Sequence, residues 1–297
     1  MTPDSQHIPV MLHETLDALH PADGGMYLDA TLGGGGHTLA LLEKSAPTGR
    51  VLSLDVDRTA LARARESFAD FGDRWVGVEE NFRNMDRAAA EAGIVSVNGI
   101  LLDLGFSSDE LMDSSKGLSF QVDGPLDMRL GPKANDDGLT AADIVNSWTE
   151  EDIAKVIETF GEDRFARRIA HGIVTARKAD RIIGTLDLVA VIRRSVPPQP
   201  PGTIHPATRT FQALRIAVND EIQALKAAIQ AAARILVPGG TLAIISFHSL
   251  EDRIVKQAFA AAPWTAITPK PLVPSDEEQQ ANPRSRSAKL RVATRQE

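Results

Sequence analysis

Short apolar runs alternate with amphipathic stretches along the first hundred residues. The runs beginning at Met26, Val51, Trp75 and Gly99 are four to seven residues long and apolar at nearly every position, the pattern of strands buried on both faces. Three of them close on an acid: Asp29, Asp55 and Asp103. Between them, Thr38 to Lys44, Leu61 to Phe68 and Met85 to Ala92 repeat their apolar positions at helical spacing. Strand and helix in alternation imply right-handed crossovers and a parallel sheet, an α/β fold whose ligands bind at the carboxyl ends of the strands. Ahead of it, Pro9 fixes an extended segment that turns helical, with Leu12, Leu16 and Leu19 on one face.

The next equally clear strand, Thr241 to Phe247, comes far too late for an ordinary crossover. From Ser107 to Asp137 the chain is punctuated by Gly and Pro, and Thr140 to Arg194 is helical in pieces. The chain therefore divides into 1–106 and 209–297, two parts of one sheet domain, and 107–208, an inserted and mainly helical domain. Phe211, Leu214, Val218, Ile222, Leu225, Ile229 and Leu236 predict one long amphipathic helix, which Pro238-Gly239-Gly240 stops. Glu251 to Phe259 predicts a helix, and Lys289 to Ala293 the last strand of a terminal hairpin.

Composition narrows the chemistry. At 297 residues, 43% hydrophobic and 24% charged, the chain is of globular type. No apolar run approaches the roughly 18 residues that span a bilayer, and Met1 to Val10 is polar, so a cytoplasmic protein with no membrane contact is expected. The absence of cysteine removes disulfides, thiolate metal sites and cysteine nucleophiles, and the histidines show no metal-ligand spacing, so no metal is expected. The net charge is -8, yet Gly161 to Arg215 carries ten Lys or Arg against four acids, and Asn282 to Glu297 five against one. Each basic stretch is either a solvated face or a surface for a polyanion.

Four glycines, Gly33 to Gly36, follow the first strand directly and precede a helix, so backbone and ligand can approach closely there. With Asp55 beyond it, such a loop serves either a dinucleotide or a methionine-derived nucleoside cofactor. Three details favour the second. His37 and Thr38 stand where a dinucleotide loop has its third glycine. Asp29 before the loop would repel a pyrophosphate and attract an aminopropyl ammonium. Leu236-Val237-Pro238-Gly239-Gly240-Thr241-Leu242 resembles the matching turn of class I S-adenosylmethionine-dependent methyltransferases. A methyl acceptor that calls for a cysteine adduct is excluded in this chain, whereas an amine needs only alignment and an acceptor for its hydrogens. Asp103-Leu104-Gly105-Phe106 has the acid-x-x-aromatic spacing of amino-methyltransferases, with Phe106 beside the acceptor. A hydride-transfer enzyme and a non-catalytic RNA-binding factor on the same fold are the alternatives.

Longer blocks carry a resemblance. His7-Ile8-Pro9-Val10, Asp29 through His37, Leu101 to Gly105 with Ser107-Ser108, Gly124-Pro125-Leu126-Asp127-Met128-Arg129, His205 to Arg215, Ser246 to Arg253 and Asn282-Pro283-Arg284 with Ser287 to Arg291 occur in this order. Together they resemble the bacterial ribosomal RNA small subunit methyltransferase H family, also called MraW. The resemblance implies a Rossmann-like class I methyltransferase fold with an inserted helical domain. It implies S-adenosyl-L-methionine as cofactor and, as substrate, the N4 amine of a decoding-centre cytidine in the 16S rRNA of the small ribosomal subunit. A homodimer is a further assembly to consider. By position, the implied cofactor contacts are Gly34, Gly35, Gly36, His37, Asp55, Phe82, Asp103 and Glu110, with Phe82 against the adenine and Asp103 catalytic. Glu110 departs from the family's glutamine and can only accept hydrogen bonds when ionised. Arg129, Arg209, Arg215 and His248 sit in these blocks as candidates for RNA contact or active-site packing, with a structural pairing to a carboxylate as the alternative.

Overall fold

The computed structural model describes residues 8–105, 113–132, 134–135, 137–200 and 202–297. Phe106, Ser107, Ser108 and Glu110 lie outside them. Two compact units emerge, one of 1–107 with 222–297 and one of 108–221.

The first unit is built on a seven-stranded sheet of order β3-β2-β1-β4-β5-β7-β6. Its strands are β1 Met26–Asp29, β2 Arg50–Asp55, β3 Trp75–Glu79, β4 Val97–Asp103, β5 Leu236–Ser246, β6 Trp264–Ala266 and β7 Lys289–Arg295. The first five pair in parallel, and β7 runs antiparallel to both β5 and β6. This is the Rossmann-like α/β fold of class I methyltransferases. The order reverses between β1 and β4, so the crevice at that switch point opens beside Asp29 and Asp103.

Alternation of side chains sorts the strands' apolar residues onto two faces. Leu28, Leu52, Ile100, Leu102 and Ile244 pack with helices α4 Met85–Glu91, α10 Glu221–Ile235 and α11 Ser249–Phe259. Tyr27, Val51, Leu101, Ala243 and Ile245 pack with α1 Leu12–Leu19, α2 Gly36–Lys44 and α3 Arg58–Ser67. The Pro238-Gly239-Gly240 turn survives as a bulge inside β5. The register jumps from Val97↔Leu236 to Gly99↔Thr241, and Gly239 takes φ +77°.

The second unit has its own core, from Leu118 to Val218. Its helices are α5 Ala141–Ser147, α6 Glu150–Gly161, α7 Ala166–Ala176, α8 Thr185–Ser195 and α9 Thr208–Val218. Thr140 and Thr149 cap α5 and α6, each accepting from the third backbone N–H of its helix. The long helix expected from Phe211 to Leu236 is two helices. Asp220 adopts φ +49° between them, and the Asn219 amide is spent elsewhere, accepting from Leu130 N and donating to the Met128 and Arg215 carbonyls. The apolar period runs on across this break, but Phe211, Leu214 and Val218 serve the helical core while Leu225, Ala228 and Ile229 serve the sheet. The helical unit accordingly extends past 208 to 221.

Candidate active site

The glycine loop is shaped by the protein around it. Gly33 N–H donates to Asp55 Oδ2 at 2.8 Å, and Gly35 N–H to the Leu32 carbonyl at 2.8 Å. Gly33 and Gly35 both have positive φ, +51° and +79°. A Cβ on Gly35 would lie 2.9 Å from the Phe68 ring, and one on Gly36 2.9 Å from Pro9. Two of the four glycines are thus demanded by packing inside the protein. A Cβ on Gly33 meets nothing nearer than the Thr31 carbonyl at 3.9 Å, so this is the open side of the loop. No side chain caps α2 at Gly35, so its first turn presents backbone N–H groups toward the loop.

Asp55 is half-buried and holds two turns at once, since Oδ1 accepts from Asp57 N at 2.8 Å while Oδ2 holds Gly33. Phe82 opens the short turn after β3, half-buried against the core beneath the sheet. Around it Glu80 accepts from Asn81 N and from Asn84 Nδ2, and pairs with Arg87.

Asp29 differs from its expected role. It is fully buried, with Oδ2 accepting from Thr38 Oγ1 at 2.7 Å and Oδ1 from Thr31 N at 3.2 Å. The donors run in one direction. Trp75 Nε1 can only donate, and it does so to Ser53 Oγ at 3.0 Å. Ser53 therefore donates to Thr38 Oγ1 at 2.8 Å, and Thr38 to Asp29. Burial pushes the Asp29 carboxyl up to about 6, opposed by the donors on Thr38 and Thr31. Asp29 anchors strand end, loop and helix together, and its charge reaches the site only through space.

Asp103 is where these restraints converge. Its N–H donates to Thr31 Oγ1 at 2.7 Å, its Oδ2 lies 3.7 Å from His37 Nδ1, and its Oδ1 is buried with no hydrogen-bond partner among the described residues. Burial, and then the negative charges of Asp29 and Glu251, push its carboxyl well above the ordinary range. A buried, unsatisfied carboxylate oxygen costs stability unless a cation or donor is meant to meet it. That is the observation by which a sulfonium fits this site.

Glu251 was not singled out by the sequence. It is buried, accepts from the Phe247 and His248 N–H groups, and lies 3.1 Å from His248 Nε2. His248 caps α11, with Nδ1 accepting from Glu251 N at 3.4 Å. A Ser-Phe-His-Ser-Leu-Glu stretch leading from a strand into a helix carries the capping-box spacing that could have revealed it.

The arginines of the sequence blocks hold structure. Arg129 grips Asp127 with two bonds of 2.7 Å, Arg209 donates to the Glu162 carbonyl, and Arg215 is bidentate on Glu221 at 2.7 and 2.8 Å. A different set carries unspent charge. Arg164, Arg167 and Arg168 are exposed on and just before α7 and make no ion pair among the described residues. The Arg164 and Arg168 guanidiniums lie 4.7 and 5.8 Å from the Phe165 ring centroid.

Residues 4–296 match the MraW methylase family. The chain belongs to that family. It is 48% identical over 310 residues to the ribosomal RNA small subunit methyltransferase H of Heliobacterium modesticaldum, covering 97% of each chain. To the protein of the same name from Sorangium cellulosum it is 47% identical over 291 residues, covering 98% of this chain and 91% of that one. No described helix is long and apolar enough to cross a membrane. Within the family frame, Gly34 to His37, Asp55, Phe82 and Asp103 belong to one unit. Gly34 to His37, Asp55 and Asp103 share the carboxyl end of the sheet around the β1/β4 switch point.

Proposed function

We propose that this protein transfers a methyl group from S-adenosyl-L-methionine to the N4 amine of a decoding-centre cytidine in the 16S rRNA of the small ribosomal subunit. The observation that carries the reading is the buried Oδ1 of Asp103 at the switch point of the sheet, which has no hydrogen-bond partner among the described residues. The cofactor supplies an electrophilic methyl on a cationic sulfonium, and every other role falls to the chain. The Gly34 to His37 backbone and the Asp55 carboxylate hold the nucleoside, the latter through the ribose hydroxyls. Phe82 lies against the adenine. Glu110 keeps its place as a cofactor contact on the sequence resemblance alone.

Asp103 serves twice. A nearby positive charge favours its ionised form, which its surroundings otherwise disfavour, so a sulfonium and this carboxylate stabilise each other. The ionised carboxylate then accepts from the N4 amine, orienting the nitrogen lone pair and drawing off the proton that methylation releases. The base must be unstacked to enter, and contacts to phosphate and to base faces would hold the flanking strand. Arg164, Arg167 and Arg168 around Phe165 supply both kinds. A homodimer is the candidate assembly, read directly by light scattering.

The test is to treat small subunits and naked 16S rRNA with the protein and methyl-labelled cofactor, digest the RNA and identify the labelled nucleoside by mass. N4-methylcytidine at one position is expected. Label in 5-methylcytidine, or in no nucleoside, overturns the reading.

A further inference from the structure

The glycine loop is held from outside by a segment that takes no part in the reaction. The Pro9 ring stands where a Cβ on Gly36 would come within 2.9 Å of it, and the Val10 carbonyl accepts from His37 Nε2 at 3.0 Å. Val10 and Met11 are buried in the same core as Leu32 and Leu41, so the segment packs against residues on both sides of the loop.

Met11 has φ +52°, left-handed backbone that a residue with a side chain adopts only under restraint. The restraint comes from helix α12 Asp276–Ala281 and the residue after it. Met11 N, 267 positions away along the chain, donates to Glu278 Oε1 at 2.8 Å, and Asn282 Nδ2 donates to the Ile8 carbonyl at 3.1 Å. Glu278 and Asn282 are four residues apart, so one helical turn delivers both side chains to the same side. Their base is fixed in turn. Ser285 Oγ and N–H both donate to the Asn282 carbonyl, at 2.9 and 3.0 Å, and Ala288 enters the core of Val10 and Met11 just before β7 pairs with β5.

We infer that Glu278 and Asn282 are positioning residues for the cofactor: through the segment 8–11 they clamp the Gly33 to His37 backbone in its binding shape. This rests on the assignment of Gly34 to His37 to the cofactor made above. Gly33 and Gly35 sit at positive φ, and glycine has more backbone freedom to lose than any other residue when a ligand fixes it. A loop already clamped loses less on binding, so the clamp raises cofactor affinity without touching the cofactor. Linkage makes the effect reciprocal, and bound cofactor tightens the clamp by the same factor.

The decisive pair of variants is Glu278→Ala, which removes the acceptor for Met11 N, and Glu278→Gln, whose amide oxygen keeps it. Calorimetry measures affinity for S-adenosyl-L-methionine, and single-turnover transfer is timed at saturating cofactor. Glu278→Ala should bind the cofactor about three- to tenfold more weakly, the net worth of one hydrogen bond, and Glu278→Gln should stay within about twofold of wild type. At saturation all three proteins should transfer methyl at one rate. Equal affinity in Glu278→Ala, an equal loss in Glu278→Gln, or a rate deficit that saturation does not remove overturns the clamp. A second arm needs no variant. Hydrogen exchange of the wild type, with and without S-adenosyl-L-methionine, should show the Met11 amide slowed together with those of Gly34 to His37, beyond any slowing at β6 on the far edge of the sheet. Loop amides protected without Met11 overturn the clamp alone. Protection that misses the loop removes the cofactor from Gly34 to His37, and the clamp falls together with the assignment it rests on.

Discussion

Acids close the strands of the sheet unit, whereas exposed arginines stand on and just before α7 of the helical unit, and the two sets are treated differently by their surroundings. Asp29, Asp55 and Asp103 are buried or half-buried, bonded into turns and raised or held by neighbours. Arg164, Arg167 and Arg168 are exposed and unpaired among the described residues. A buried carboxylate works at short range in a low dielectric, where one hydrogen-bond partner decides its protonation. An exposed guanidinium works by counterion release and is sequence-blind. On the function proposed above, bond-making falls to the sheet unit and RNA holding to the helical unit, in a chain whose net charge is -8.

The sharpest way to break that division is Asp103→Asn. Removing a positioned proton acceptor should cost about 10² to 10⁴ in single-turnover rate while RNA affinity is unchanged, checked by quench-flow and a filter-binding titration. Normal turnover with intact cofactor binding would remove Asp103 from the chemistry.

Next in size is the anchoring role of Asp29. Its folded carboxyl titrates near 6 against an ordinary 3.8, so the folded state binds the proton more tightly than the unfolded one. The contribution of Asp29 to stability is therefore greatest below about pH 4, falls as pH rises toward 6 and is level above it, by up to about 3 kcal/mol. Asp29→Asn should lack this slope, and urea unfolding of both proteins between pH 4 and 7 should show their stability difference drifting in the variant's favour as pH rises. Parallel curves would mean that Asp29 titrates at its ordinary value.

The smallest expected effect belongs to the arginines. Changing Arg164, Arg167 and Arg168 together to Gln should lower RNA affinity about tenfold near physiological salt. It should also flatten the slope of log affinity against log salt by roughly 2, at about 0.7 per phosphate on a single strand. Cofactor affinity, measured by calorimetry, should not change. An unaltered salt slope would return this face to ordinary solvated surface.

What could be read in the sequence was local. The strands, the glycine loop and the acids at strand ends declare themselves within ten residues, because burial on two faces and the need for a close backbone approach leave direct marks on residue type. The break at Asn219 and Asp220 left none, since the apolar period continues through it and its cause is an amide spent on the loop at 128–130. The Trp75–Ser53–Thr38–Asp29 chain was hidden for the same reason, joining β3, β2, α2 and β1. Arg129, Arg209 and Arg215 suggested RNA because they stand in long blocks, yet each is tied by a carboxylate or carbonyl that only folding brings near. The exposed trio on and just before α7 lay in a basic stretch whose sequence could not separate a solvated face from a working one.

Single-turnover methyl transfer at saturating RNA tests the division of labour most directly, with wild type, Asp103→Asn and the triple arginine variant side by side. Saturation removes any deficit in RNA binding and leaves only the bond-making step. The triple variant should recover the wild-type rate, and Asp103→Asn should remain at least about a hundredfold slow. A triple variant that stays slow at saturation, or an Asp103→Asn protein that recovers, would contradict the account.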